Sequence, residues 1–227
     1  MSKVFSVAID GPVGAGKSCV AKKVAERLNA AYLDTGAMYR AVGLYMLENG
    51  VSLEDGAAIA ENAGKARVDV RYEGREQRTY LNGRDVTGEL RRPEVSLASS
   101  AVAKVHAVRE ALVNRQRELA RGISLVMDGR DIGTCVLTDA TLKIFLTATP
   151  EERARRRFRQ MNGKGGQSFE DVLSDLIRRD RNDMSRAESP LRCAEDAVEL
   201  DSTSLTEDEV VERIVSLLME RTGGERA

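Results

Sequence analysis

Short apolar segments alternate along this chain with longer stretches in which apolar residues recur at helical spacing. The first segment, residues 4–9, is apolar almost throughout and is ended by Asp10 and a glycine-rich loop. Beyond the loop, Val20, Val24 and Leu28 fall on one face of a helix. This pattern predicts a strand, a glycine loop and a helix in direct succession.

Four further strand-like segments follow, each ended by polar or turn residues and separated from the next by helical stretches. Parallel strands need helical crossovers, so this alternation predicts an α/β fold with a five-stranded parallel sheet covered by helices on both faces. Ligands of such sheets bind outside the carboxyl ends of the strands, where the loops should converge. The four segments are residues 31–33, 123–127, 142–146 and 197–200.

Two stretches interrupt the alternation. Residues 68–86 contain a strand-like run, a glycine-bearing turn and a second strand-like run that leads into Asn82-Gly83, which predicts a small antiparallel meander in an inserted subdomain of about residues 62–92. Residues 153–167 are an arginine-dense helix that runs into a glycine-rich tip, which predicts a lid over about residues 151–169.

A single domain over residues 1–227 accommodates both interruptions. A chain of 227 residues with 42% apolar side chains can bury one core of ordinary size. Near the end, Thr206 and Glu209 form a capping box that predicts the start of a last helix. The predicted core comprises about residues 1–61, 93–150 and 170–227.

The charge balance restricts the class of partner. The 35 basic and 36 acidic side chains give a net charge of −1, and aromatic residues make up only 4% of the chain. Neither a basic groove nor stacking platforms are indicated, so we expect no nucleic-acid partner and no membrane partner. The three cysteines and one histidine lack metal-ligand spacing, and they indicate a reducing, cytoplasmic setting. We expect a monomer.

The strongest chemical signal is the loop after the first strand. Residues 11–18 match the phosphate-binding motif G-x-x-x-x-G-K-[ST] between a strand and a helix, the context that the motif requires. Glycines turn backbone N–H groups towards phosphate oxygens, the lysine reaches the terminal phosphates and the serine hydroxyl ligates Mg²⁺. A plain glycine turn would need neither the lysine nor the serine. The predicted ATP-binding residues of this loop are Gly11, Pro12, Val13, Gly14, Ala15, Gly16, Lys17, Ser18 and Cys19.

Polar residues also follow the second and third strands. Thr35, Tyr39 and Arg40 come after the second strand, although a simple capped helix with a solvated arginine is an equally good interpretation of this motif alone. After the third strand, Asp128 is placed to hold a Mg²⁺ ion through water, and an ordinary polar turn is the alternative. Phosphoryl transfer needs no protein nucleophile, and none stands at these loops.

Two clusters of arginine residues are the other chemical signal in the sequence. Arg153, Arg156 and Arg157 lie at i, i+3 and i+4, so one helix face can bring them to the polyphosphate of ATP when the lid closes. The alternative is a solvated helix face. A second group of arginines comprises Arg178, Arg179, Arg181, Arg186 and Arg192.

Taken together, these motifs closely resemble those of bacterial cytidylate kinases. The motifs are residues 11–18, 34–40, 128–131 and 179–186, and the resemblance covers nearly the whole chain. It implies a P-loop kinase fold whose meander is a monophosphate-binding subdomain. It also implies transfer of the γ-phosphoryl group of ATP to CMP or dCMP, with Mg²⁺ as cofactor, in pyrimidine nucleotide metabolism.

The resemblance assigns roles residue by residue. Ser99 is an adjacent rival for the serine at the base, and Cys19 stands where such kinases commonly carry a second hydroxyl residue. The implied catalytic residues are Lys17, Arg130, Arg157 and Arg186. The implied acceptor-binding residues are Thr35, Tyr39, Arg40 and Arg130 around the phosphate, Ser100, Arg109 and Asp131 at cytosine, Arg179 and Asp183 at the sugar, and Arg186 near the phosphates between the two substrates.

Two alternatives belong to different classes. Another small P-loop kinase, acting on UMP/CMP, AMP or a small metabolite, would share the loop and the lid but not the acceptor motifs. A nucleic-acid-binding module would use the arginine clusters on phosphates, and its affinity would fall steeply with salt. A GTPase is disfavoured because no Asn-Lys-x-Asp stretch is present.

Overall fold

The computed structural model describes residues 4–161 and 168–223. The chain forms two compact units, of which the first takes the described parts of residues 1–31 and 122–227 and the second takes residues 32–121. No helix within the described ranges is long and apolar enough to cross a bilayer. The glycine-rich tip of the predicted lid, residues 163–166, lies outside the described residues.

Strands and helices alternate along most of the chain. The strands are β1 (Ser6–Asp10), β2 (Ala31–Asp34), β3 (Val68–Glu73), β4 (Glu76–Leu81), β5 (Arg84–Asp85), β6 (Leu125–Asp128), β7 (Leu142–Thr147) and β8 (Val198–Asp201). The helices are α1 (Lys17–Arg27), α2 (Thr35–Glu48), α3 (Gly56–Ala63), α4 (Pro93–Val102), α5 (His106–Leu119), α6 (Pro150–Met161), α7 (Phe169–Met184) and α8 (Glu207–Thr222).

The larger sheet confirms the predicted five-stranded parallel architecture. Its strand order is β2-β6-β1-β7-β8, and β1 lies in the middle. Val7 pairs with Val126 on one side and with Leu142 on the other, both in parallel register. Val7 and Ala8, whose side chains point to opposite faces of the strand, are both fully buried, as expected for a strand whose two faces are covered. The carboxyl ends of β1 and β6 therefore meet at one edge of the sheet.

The helix that ends the described chain confirms the predicted capping box. The Thr206 hydroxyl accepts from the Glu209 backbone N–H, and the Glu209 carboxylate accepts from the Thr206 backbone N–H. Helix α8 then buries Val210, Ile214 and Leu218 along one face and packs against α1. An equivalent box at the start of α7 was not predicted from the sequence.

The second unit contains the predicted meander. Strands β3, β4 and β5 form an antiparallel sheet, and Asn82 and Gly83 connect β4 to β5 with positive φ angles of 49° and 83°. These are the residues that such a tight turn favours, because Asn and Gly tolerate the left-handed region. The compact unit is wider than residues 62–92, since it also includes helices α2 to α5.

Helices α2 and α4 of the second unit cross at a glycine. A Cβ atom on Gly43 would lie 2.9 Å from the backbone nitrogen of Ser99 and 3.0 Å from the side chain of Ala98. The absence of a side chain at Gly43 thus permits the close approach of the two helices.

Candidate active site

The phosphate-binding loop has the backbone that its sequence predicts. Gly11 has a φ of 147°, and a Cβ atom at this position would lie 2.0 Å from the carbonyl oxygen of Leu146 at the end of β7. No residue with a side chain fits there. The loop ends at Gly16, which caps α1 without any side-chain hydrogen bond, so the first turn of that helix presents its N–H groups to a ligand.

Lys17 is buried at the start of α1. Its Nζ atom donates to the carbonyl oxygen of Pro12 at 2.7 Å, so the lysine folds back across the loop. Burial, and after it the positive charge of Arg130, lowers the pKa of Lys17 to about 7, while the charge of Asp128 acts in the opposite direction. A phosphate group would add negative charge next to this lysine and so favour its protonated form.

Ser18 and Asp128 form a polar pair at the sheet edge. The Ser18 hydroxyl donates to the Asp128 carboxylate at 2.8 Å, and Asp128 is buried at the end of β6. No group of three or more histidine, cysteine, aspartate or glutamate side chains suited to a metal ion occurs among residues 4–161 and 168–223. The pair therefore offers one hydroxyl and one carboxylate rather than a complete protein cage.

Two predicted substrate arginines share one carboxylate in the first unit. Arg130 donates from Nε to Asp183 at 2.9 Å, and Arg186 donates from Nη2 to the other oxygen of Asp183. The Nε atom of Arg186 is buried and has no hydrogen-bond partner in the described part of the chain. Both guanidinium groups therefore contact one carboxylate near the C-terminal end of α7. Arg179, on the same helix, lies 3.7 Å from Asp175.

The three predicted lid arginines occupy different environments on α6. Arg153 is buried and donates to the backbone oxygens of Ala148 and Val13. Arg156 is half-buried and donates to the Ala15 oxygen at 3.4 Å and to Ser202. Arg157 is exposed. Arg153 and Arg156 thus contact carbonyl oxygens of the loop. The roles of all three arginines at ATP stay predictions.

Sequence reasoning missed Asp10, the last residue of β1. Its two carboxylate oxygens accept from the backbone N–H groups of Ile132 and Gly133, at 2.8 and 2.7 Å. Burial raises the pKa of Asp10 to about 6, and the two N–H donors oppose that shift. The carboxylate anchors the π-helical turn Ile132–Val136, which follows directly after the buried Asp131. The sequence signal that could have indicated Asp10 is a carboxylate residue directly after an apolar run.

The second unit carries its own group of predicted residues on α2. Asp34 caps this helix by accepting from the Ala37 N–H at 2.9 Å, so the capped-helix interpretation holds. Arg40 is not solvated as that interpretation supposed, because it donates to Asp34 at 2.8 Å and is partly buried. Its Nε atom is buried without a partner among the described residues. Thr35, at the start of the helix, is buried.

Helices α4 and α5 carry the residues predicted to contact the base. Arg109 is buried and donates to the Tyr39 hydroxyl at 3.4 Å. Ser100 is exposed, whereas the Ser99 hydroxyl donates to the Ser96 carbonyl oxygen at 2.8 Å. The structure thus brings Arg109 and Tyr39 together within this unit, and the exposed Ser100 hydroxyl is the less constrained of the two serines.

Known proteins match nearly the whole chain. The family model described as cytidylate kinase matches residues 7–220. The cytidylate kinase of Caldanaerobacter subterraneus subsp. tengcongensis is 50% identical over 220 residues, which are 96% of each chain. That of Desulforamulus reducens is 52% identical over 217 residues, which are 95% of this chain and 97% of its own.

Among solved structures, an uncharacterized protein from Eubacterium ventriosum aligns with a TM-score of 0.53 and 15% identity, over 96% of this chain and 99% of its own. That likeness concerns the fold alone. The match to the family model is more informative than this fold likeness, because it spans the phosphate-binding loop, the carboxyl ends of the strands and helix α7. This chain belongs to the cytidylate kinase family.

Proposed function

We propose that this protein transfers the γ-phosphoryl group of ATP to CMP or dCMP and releases ADP with CDP or dCDP. The observation that carries the proposal is a phosphate-binding loop with a buried lysine and a Ser18–Asp128 pair, in a chain whose residues 7–220 match the cytidylate kinase family. Members of that family are phosphotransferases, and ATP is the co-substrate.

The loop would bind the phosphates of ATP. Its N–H groups and the positive end of α1 favour anions, and Lys17 adds a full charge next to them. An anionic ligand stabilises the protonated lysine, which burial otherwise disfavours. Negative charge redistributes over the phosphate oxygens during transfer, and a preorganised cation at this point stabilises that redistribution without reorganisation.

Ser18 and Asp128 are the residues that would hold Mg²⁺, Asp128 through water. The donor set fits this ion, because hydroxyl and carboxylate oxygens are hard ligands and a single carboxylate leaves coordination positions for phosphate oxygens and water. When bound, the ion would neutralise charge on the phosphates of ATP.

Two arginines with unsatisfied hydrogen-bond donors support the binding of a nucleotide phosphate as the phosphoryl acceptor. The Nε atoms of Arg40 and Arg186 are buried without a partner among the described residues. A buried donor without an acceptor costs roughly 1–3 kcal/mol, and phosphate oxygens are acceptors that arginine recognises well. We assign Arg40, with Thr35 and Tyr39, to the phosphate of CMP and Arg186 to phosphates in transfer.

The remaining substrate contacts follow from hydrogen-bonding capacity. Asp131 and Ser100 can accept from the exocyclic amine of cytosine, and Arg109 can donate to N3 or O2. Asp183 already accepts from Arg130 and Arg186, and it retains acceptor capacity for a sugar hydroxyl, as a carboxylate has about four lone-pair sites. Arg179 is assigned to the same sugar.

Under this proposal, the protein catalyses the reaction by positioning the two substrates and by neutralising the charge on the phosphoryl group in transfer. An oxygen of the CMP phosphate forms a bond to the γ-phosphorus of ATP while the bond from that phosphorus to the bridging oxygen of ADP breaks. A phosphate monoester is largely ionised at neutral pH, so no protein base has to remove a proton. Lys17, Arg130, Arg157 and Arg186 would stabilise the charge in transfer.

A panel of acceptors tests the proposal. ADP release is measured with ATP, Mg²⁺ and each of CMP, dCMP, UMP, AMP and GMP. We expect turnover with CMP or dCMP that exceeds turnover with the other three at equal concentration. Preferential use of UMP or AMP, or the use of none of the five, would favour another small P-loop kinase.

We also infer a monomeric, cytoplasmic enzyme that needs no nucleic acid or membrane. The nearly balanced charge supports the absence of nucleic-acid and membrane partners, and the absence of paired cysteine spacing in the sequence supports the cytoplasmic setting. Light scattering coupled to size-exclusion chromatography should give a mass near 24.9 kDa, and twice that mass would contradict the monomer.

A further inference from the structure

A carboxylate on α7 reaches the phosphate-binding loop. Asp180 accepts from the backbone N–H of Val13 through Oδ1 at 3.3 Å and from Nη1 of Arg153 through Oδ2 at 2.5 Å. The same Nη1 atom donates to the carbonyl oxygen of Val13 at 2.9 Å. Both backbone polar groups of Val13 are therefore held by side chains from two different helices.

This contact is shielded from water. The Arg153 side chain is 5% exposed and the Asp180 side chain is 14% exposed. A second bond, from Nε of Arg153 to the carbonyl oxygen of Ala148 at 2.9 Å, fixes the guanidinium plane against the end of the preceding strand. Charge-assisted hydrogen bonds in such surroundings hold their geometry well, because water does not compete for the donors and acceptors.

The held residue adjoins the part of the loop that faces phosphate. Val13 precedes Gly14, and a Cβ atom on Gly14 would lie 3.2 Å from the Cβ atom of Arg153, so α6 rests directly on the loop. Fixing the peptide groups of Val13 restricts the orientation of the N–H groups that follow it. These contacts therefore favour a single conformation of the loop.

We propose that Asp180 and Arg153 form a backbone clamp on Val13 and act as positioning residues for ATP binding. The clamp assigns Arg153 to the loop backbone rather than to the direct ATP contact predicted from the sequence. The inference rests on the part of the proposed function in which this loop binds ATP, and it does not depend on which acceptor is used. Preorganisation of this kind favours binding because the loop does not have to be ordered by the ligand.

Asp180→Asn tests the clamp. The Asn oxygen can still accept from Val13, but the amide nitrogen cannot accept from Arg153. We expect faster hydrogen exchange of the nucleotide-free loop, residues 10–17, and an ATP dissociation constant raised about tenfold. Exchange in α8, in the same unit, should stay unchanged, whereas a general loss of stability would accelerate both. Asp139→Asn makes the same chemical change at an exposed position of the same unit, and it should match the parent protein.

A second pair of variants separates the clamp from a direct contact of Arg153 with ATP. Arg153→Met should weaken ATP binding when it is made in the parent protein. If the two residues act together, the same substitution made in Asp180→Asn should weaken ATP binding further by less than about twofold. Additive losses would overturn the clamp.

A double variant covers the case in which Asp180→Asn fails to fold because it leaves a buried charge unpaired. Arg153→Met with Asp180→Leu removes both charges, and we expect it to fold with fast loop exchange and weak ATP binding. Parental loop exchange and ATP affinity in either folded variant would overturn the clamp. Exchange and ATP binding are measured without an acceptor, so a failure to phosphorylate CMP would count against the proposed function alone.

Discussion

The Ser18 hydroxyl donates a hydrogen bond to the Asp128 carboxylate across 110 positions of sequence, at 2.8 Å. The contact joins the first turn of α1 to the end of β6. It exists because β1 and β6 are neighbouring parallel strands whose carboxyl ends lie side by side. The two residues inferred to hold Mg²⁺ are thus placed by the sheet and not by a loop of their own.

Asp128→Asn should raise the Mg²⁺ concentration required for half-maximal turnover by about tenfold, because an amide is a weaker ligand than a carboxylate for this ion and for its bound water. A Mg²⁺ titration of ATP-dependent turnover measures the effect. Asp139→Asn makes the same change at an exposed position before β7 and serves as the control. An unchanged titration in Asp128→Asn would remove this residue from the metal site.

Lys17→Met should lower kcat by two to three decades, equivalent to about 3–4 kcal/mol, through the loss of a preorganised charge. The fold should persist with an equal or higher melting temperature, because a charge whose burial is unfavourable has been removed. Lys22→Met, at an exposed position on the same helix, is the matched control for turnover. A folded Lys17→Met variant with near-normal turnover would contradict the assignment of the loop.

The raised pKa of Asp10 makes the stability of the protein depend on pH. Its pKa rises from 3.8 in the unfolded chain to about 6 in the native state, so the native state binds more protons between these values. The contribution of Asp10 is therefore most favourable below about pH 4, is lost as pH rises towards 6 and is constant above. The full difference is about 3 kcal/mol.

Urea unfolding of the parent and of Asp10→Asn at intervals from pH 4 to 7 measures this contribution. The free energy of unfolding of the parent, less that of the variant, should fall by about 2 kcal/mol over the range. A difference that is flat or rises with pH would show that burial does not dominate at Asp10.

Base selectivity should follow from donor and acceptor matching. Uracil presents an acceptor and a donor where cytosine presents an amine and an acceptor, so UMP would leave Asp131 and Arg109 opposed or unpaired. At roughly 1–3 kcal/mol for a stranded buried group, kcat/KM for CMP should exceed that for UMP by at least about tenfold. Asp131→Ala should reduce the ratio chiefly by impairing CMP. Equal use of both nucleotides by the parent, or an unchanged ratio in the variant, would show that Asp131 does not read the base.

Gly43→Ala should destabilise the second unit. The new Cβ atom meets backbone and Cβ atoms of α4 at 2.9 to 3.0 Å, and strain of this kind costs about 1–3 kcal/mol. Thermal unfolding should show a lower melting temperature. Gly56→Ala is the control, because a Cβ atom there meets nothing within 4 Å. Equal melting temperatures for the two variants would mean that α2 and α4 separate without cost.

The sequence predicted those features of the fold that local patterns encode. Residues 4–9 are identifiable as a buried strand because burial of both faces leaves an apolar run, and Asn82-Gly83 indicates a turn because few residues adopt its backbone angles. The phosphate-binding loop could be identified for a similar reason, since its glycines, lysine and serine all lie within eight positions.

Long-range contacts explain what could not be predicted. Asp180 reaches Val13 across 167 positions of sequence, and no local pattern records such a pairing. Helical spacing places Arg153 and Arg157 on one face of α6, but it does not indicate how deeply each side chain is buried. In the structure Arg153 is buried and Arg157 is exposed. Asp10 was visible as the end of a strand, but its partners in the π-helical turn come from more than a hundred residues away.

Strand β1 is synthesised long before both of its neighbours in the sheet, which come from far along the chain. Ser6 pairs with Leu125, and Val7 pairs with Leu142. Such distant contacts close long loops, which slows folding. The second unit is continuous and is synthesised in full before either partner of β1 appears. The nascent chain therefore carries an apolar strand that is unpaired until β6 has emerged and only half paired until β7 has emerged, and during this interval aggregation and chaperone binding compete for it.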